Sequence, residues 1–169
     1  MRACGSMDLD PDQPPALDAS RDPGHVGESP LILGYAGLLP QIAATAVTLL
    51  DSGSDVGPLF AFGYAALILS FLGGIWWGFD MNRPLGRQGR LALVAVVPPI
   101  LTACVILLAI SRIVSARWGL VLLGSGVLLT LLVDRRLVQA GVAPAGWMAM
   151  RVPLSIGLGV LTILCGIAS

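Results

Sequence analysis

Two aspartates, Asp80 and Asp134, are the residues whose placement asks for an explanation, because each closes a long apolar run where a helix would be finishing. A carboxylate at a helix C-terminus opposes the macrodipole, which favours cations there, so each needs a compensating group. Arg83, three residues beyond Asp80, is within reach if the helix continues. Arg135 and Arg136 follow Asp134 too closely to share its helical face. Its partner is therefore expected from another loop, with Arg83, Arg87 and Arg151 as candidates. Two chemistries fit this set. An interfacial charge network of Asp80, Arg83, Asp134, Arg135, Arg136 and Arg151 would fix helix ends. A proton-accepting or ligand-binding site at a membrane mouth would use the same carboxylates, since ionisable groups at membrane depth mark pathways. Placement near the interface, away from the midplane, favours the structural reading.

Three prolines and one amide form a second group. Pro40 with Gln41, and Pro98 with Pro99, interrupt apolar runs. Proline removes a helical hydrogen bond and kinks the helix, and broken helices build transporter sites. Plain structural kinks are the commoner outcome. Gln41 is nearly alone as a strongly polar side chain deep in a run, so it is expected to bond across to another helix.

A third group carries packing rather than chemistry. Ala66, Ser70, Gly74 and Gly78 recur every four residues and make one smooth ridge on a helix. Small residues at that spacing let a second helix approach closely. Packing within the chain is the bland use; contact with a second copy or a partner is the functional one. Ser155 and Gly159 are a weaker pair of the same kind.

Catalytic patterns are missing. The sequence has no H-E-x-x-H, no G-x-S-x-G and no phosphate loop. Cys4, Cys104 and Cys165 are far apart, and His25 has no ligand-type neighbours, so neither metal nor cofactor is expected. Net charge is zero, which leaves no basic field for nucleic acid. A non-enzyme is the expectation.

The elements that must hold these residues follow from composition. Hydrophobic residues make up 56% of the chain and charged ones 12%, too few to coat a water-facing surface. Apolar runs fall at about 31–50, 60–79, 91–110, 116–133 and 152–168, each near the ~20 residues that span a hydrocarbon core. Backbone groups in lipid must satisfy one another, so the runs are expected as helices. The fold class is all-α, a polytopic membrane protein of about five transmembrane helices. Residues 30–169 form that domain. Residues 1–29, acidic and proline-rich, are expected to be a disordered tail, with Met7 an alternative start to Met1.

Arginine placement sets the orientation. With five spans, Arg83, Arg87, Arg90, Arg135, Arg136 and Arg151 share one side with the tail, against Arg112 and Arg117 opposite. The positive-inside rule then makes the N-terminus cytoplasmic and puts the C-terminus outside. Tyr35, Tyr64, Trp76, Trp77, Trp118 and Trp147 fall near span ends, as interface anchors would. A faint duplication aligns the run from Pro40 with that from Pro98, and Asp80 with Asp134.

Three blocks are familiar together: Leu33-Gly34-Tyr35-Ala36-Gly37-Leu38-Leu39-Pro40, the stretch from Tyr64 through Trp76-Trp77-Gly78, and Leu132-Val133-Asp134-Arg135-Arg136. They resemble the family catalogued as domain of unknown function 3429, which includes the transmembrane protein 69 proteins of eukaryotes. The resemblance runs from Leu31 to the C-terminus. It implies a bacterial inner-membrane or organellar protein with about five helices and no assigned activity, and for this chain a multi-pass protein of the bacterial cytoplasmic (inner) membrane. The expectation is a packing, assembly or accessory factor whose contacts are the bilayer and a second copy or membrane partner; a small ion- or proton-coupled transporter is the alternative.

Overall fold

Long runs without strand alternation, broken only by turn formers, leave helix as the available structure. The computed structural model describes residues 28–51, 53–84, 88–144 and 146–169, and all its regular elements there are helices. They are α1 (Glu28–Ala36), α2 (Leu39–Leu50), α3 (Val56–Met81), α4 (Arg90–Ile110), α5 (Ala116–Gln139) and α6 (Trp147–Ala168). Five segments, the first running from Ile32 through α2 to Leu50, are long and apolar enough to cross a membrane. The expected acidic tail lies outside the described residues up to position 27, and Glu28 and Ser29 open α1.

Boundaries differ from the apolar runs where charge was taken as a stop. The run ending near Val133 continues as α5 to Gln139, and α6 starts at Trp147 rather than near Val152. What reads as a long polar connection therefore shrinks to a short turn after Gln139. Asp134 and Arg151 both sit inside helices. The reason is that they neutralise each other, as described below.

The first span is broken at Gly37-Leu38, just before Pro40. Gly37 N–H bonds back to Leu33 and Gly34, and Leu38 N–H to Tyr35. Pro40 then falls in the first turn of α2, where its missing N–H costs nothing. The Tyr64 hydroxyl of α3 donates to the Gly37 carbonyl at the break.

α3 is the hub, packed against α2, α4, α5 and α6. Its closest approach uses Gly73. A Cβ there would meet the Ala95 carbonyl oxygen and stand 2.8 Å from Pro99 Cδ. Pro99 has no N–H to give Ala95, four residues earlier, so the carbonyl that this proline leaves without its helical donor is the one that Gly73 faces. The α5–α6 contact is built the same way. A Cβ on Gly124 would lie 2.8 Å from the Gly159 carbonyl, and one on Gly166 would lie 2.8 Å from that of Arg117.

The distribution of polarity is inverted relative to a water-soluble bundle. Gln41, Thr45, Thr48, Asp80, Thr102, Thr130, Asp134, Arg151, Ser155 and Thr162 are buried, while Leu33, Leu59, Leu93, Leu107 and Leu132 are exposed. An apolar exterior around a polar-containing interior fits an integral membrane protein.

Candidate functional site

The one dense polar cluster among the described residues is assembled from i, i+4 pairs. Thr130 and Asp134 lie one turn apart on α5, Trp147 and Arg151 one turn apart on α6, and Trp76 and Asp80 one turn apart on α3. The three helices converge so that Asp134, fully buried, is surrounded. Its Oδ1 accepts the indole N–H of Trp76 at 2.8 Å and that of Trp147 at 3.2 Å. Its Oδ2 accepts Arg151 Nε at 2.9 Å and lies 2.8 Å from Nη2. Arg151 Nη2 also reaches the Thr130 hydroxyl at 3.4 Å, and that hydroxyl donates to the Val127 carbonyl. The guanidinium stands 5.7 Å from the centre of the Trp147 ring, whose edge meets Phe79 at 5.3 Å between centroids.

Asp134 accepts three hydrogen bonds, from two indoles and Arg151 Nε, and Arg151 Nη2 adds a close ion-pair contact. The ion pair is net neutral, which lets two charged side chains stay in the body of helices. Chemically, the arrangement clamps α3, α5 and α6 together.

Asp80 does different work. Its Oδ2 accepts Gly89 N–H at 2.7 Å and Ala92 N–H at 3.2 Å. Gly89 is the N-cap of α4 and Ala92 its third residue, so an aspartate from the end of α3 caps the next helix. The positive end of the α4 dipole, rather than Arg83, is its main compensation. Arg83 stands off at 3.7 Å from Oδ1, which makes no hydrogen bond among the described residues. Gly89 holds φ at +108°, a conformation that glycine adopts freely.

The other sequence candidates are placed as follows. Arg135 and Arg136 are exposed and make no ion pair among the described residues. Arg87 lies outside those residues. Pro98 is buried and Pro99 half-buried in α4. Gln41 is fully buried, and neither amide atom has a hydrogen-bond partner among the described residues. Along the small-residue ridge, Ala66 is buried and Ser70 half-buried, but Gly74 and Gly78 are exposed with nothing within 4 Å of an added Cβ. Ser155 and Gly159 both face inward. The two indoles that complete the carboxylate site read as interface anchors from sequence. Trp76 is instead 2% exposed and Trp147 half-buried, whereas Tyr35, Trp77 and Trp118 do lie outward. The signal that marks the cluster is the i, i+4 spacing of Trp147 with Arg151 and of Thr130 with Asp134.

The model of the family described as protein of unknown function (DUF3429) matches residues 26–167, nearly the whole chain and the whole of the cluster. The chain belongs to that family. No curated protein and no solved structure matches it. Membership gives no activity, so the geometry carries the functional argument.

Proposed function

We propose that this protein is a non-enzymatic packing, assembly or accessory factor of the bacterial cytoplasmic membrane, with its N-terminus in the cytoplasm. The observation that carries the reading is the way Asp134 joins three helices. Its carboxylate, on α5, accepts three hydrogen bonds and makes an ion pair with side chains of α3 and α6. The buried threonines are spent locally too: Thr45, Thr48, Thr102 and Thr162 each donate to the carbonyl four residues earlier. A partner would meet the outer surface. On α3 it presents Gly74 and Gly78, where another helix could approach the backbone. The cytoplasmic orientation is supported by Arg83, Arg90, Arg135 and Arg136 at the end of the bundle that holds Asp80 and Asp134.

Purification of the tagged protein at native level in mild detergent, read by mass spectrometry, tests this. A partner at near-stoichiometric yield, lost in Gly74→Leu, is the expected result. Recovery of the protein alone, with growth and complex assembly unchanged in Gly74→Leu, would reject it. A second reading, a small ion- or proton-coupled transporter, is favoured by the unbonded Oδ1 of buried Asp80. Proton flux in liposomes that disappears in Asp80→Asn would establish that reading instead.

A further inference from the structure

The charge of the chain is divided between two places. Residues 1–29 hold Asp8, Asp10, Asp12, Asp18, Asp22 and Glu28 against Arg2 and Arg21, so six acids and two arginines leave that segment at −4. Residues 30–169 hold four acids and eight arginines, a net +4. That excess lies at one end of the bundle. At the far end Arg112 and Arg117 are matched in number by Asp51 and Asp55, whereas Arg83, Arg87, Arg90, Arg135, Arg136 and Arg151 are set against Asp80 and Asp134 alone. Those two carboxylates are taken: Asp134 lies 2.8 Å from Arg151, and Asp80 has Arg83 at 3.7 Å. Arg90, Arg135 and Arg136 are exposed and have no acidic partner among the described residues. Arg90 opens α4, at the positive end of the helix dipole, where a cation is disfavoured and an outside anion gains most. With five spans, the first begins at this same end whichever way the molecule faces. The packing agrees. A Cβ on Gly34 of α1 would lie 3.0 Å from Leu154 and 3.8 Å from Met150, the neighbours of Arg151 near the start of α6.

We propose that the acidic segment 8–28 docks across this arginine end of the bundle, with its carboxylates on Arg90, Arg135 and Arg136. Charge complementarity selects it, since a segment at −4 meets an end at +4. Reach allows it. Asp22 is six residues from Glu28 and Asp8 is twenty, extended lengths of about 20 Å and about 70 Å against the roughly 8–10 Å between packed helix axes. Tethering favours it over a free acidic partner, because a short linker holds its ligand at about millimolar effective concentration. Anionic headgroups are the rival occupant of arginines at a span end. Within a Debye length those headgroups also repel the acidic segment, so the arginines are where it is repelled least. Docked, the segment is a cover that an acidic partner has to displace. This goes beyond the scaffold reading and does not depend on it.

The full chain in bilayer nanodiscs, with nitroxides on Ser20→Cys and Gln139→Cys in a background lacking Cys4, Cys104 and Cys165, tests the docking by electron–electron distance measurement. Ser20 lies between Asp18 and Asp22, and Gln139 is exposed at the end of α5, one turn beyond Arg135. A narrow distance distribution is expected in about 0.1 M salt. It should widen about twofold in about 1 M salt, where the Debye length falls from about 10 Å to about 3 Å. Arg135→Glu with Arg136→Glu should widen it as much at low salt and leave thermal stability unchanged, since both side chains are exposed. Asp8→Asn, Asp12→Asn, Asp18→Asn and Asp22→Asn together should do the same from the other side. A distribution as wide at low salt as at high, or a narrow one indifferent to these variants, overturns the proposal. So does a narrow distribution in phosphatidylcholine that is lost when phosphatidylglycerol is added, which would make lipid headgroups the occupant.

Discussion

Arg151 Nε meets Asp134 Oδ2 at 2.9 Å across seventeen residues of chain, and each partner sits in the body of a helix rather than in the turn between them. The pair explains why α5 and α6 run past their apolar segments. Either residue alone would stop its helix at the lipid boundary; together they carry no net charge. Removing one partner leaves the other buried, which costs more than the pair is worth. Arg151→Met should therefore destabilise the protein by about 3–5 kcal/mol. The double variant Arg151→Met, Asp134→Leu should recover most of that loss. Reversible unfolding in mixed micelles, followed by tryptophan emission, measures both. A double variant as unstable as the single one would show that the indole bonds to Asp134 matter more than its charge.

Asp80 predicts a local effect instead of a global one. It supplies a cap to α4 from another helix, through Gly89 and Ala92. Asp80→Ala should cost about 0.5–2 kcal/mol, the usual range for a lost cap. Amide exchange should speed up in residues 89–92 while the far end of α4 is unchanged. Asp80→Asn keeps one oxygen acceptor and should retain most of the protection. Uniform acceleration across α4 would mean that Asp80 holds the α3–α4 pair as a whole.

Adjacent glycines should behave in opposite ways. Gly73 faces the Ala95 carbonyl and Pro99, so even Gly73→Ala forces the α3–α4 contact apart, at about 1–3 kcal/mol or more. Gly74 has open space, and Gly74→Leu should leave thermal stability within about 0.5 kcal/mol of the parent, as for an ordinary surface change. Unfolding midpoints in detergent give both values. Equal losses at the two positions would mean that α3 is rotated from the orientation described.

The helical spans were legible because lipid imposes a length and a polarity that local composition reports directly. Asp134 and Arg151 were legible as candidates for a pair, but their placement inside helices was not. A charge in an apolar run reads as a terminus until its partner's position is known. The same limit applies to glycine. Ala66, Ser70, Gly74 and Gly78 have the right spacing, yet the residue that α4 approaches is Gly73. Spacing defines a face and cannot say which face meets a neighbour. Trp76 was missed for a related reason: near a span end, a tryptophan fits an interface anchor and a buried donor equally well.

Orientation can be tested by thiol labelling, with the reporter chosen from burial. Cys165 is fully buried, with its sulfur 3.1 Å from the Thr48 hydroxyl, so an impermeant thiol reagent should not modify it from either side. Ser169 is exposed at the end of α6, and Arg135 is exposed near the end of α5, on the opposite side of the predicted membrane. In intact cells, Ser169→Cys should therefore be modified and Arg135→Cys protected, each placed in a background lacking Cys4, Cys104 and Cys165. Both should be modified after lysis, which controls for accessibility. The converse pattern in intact cells would turn the molecule over. The arginine-rich end, with the Asp134 cluster just beneath it, would then face outward against the positive-inside rule.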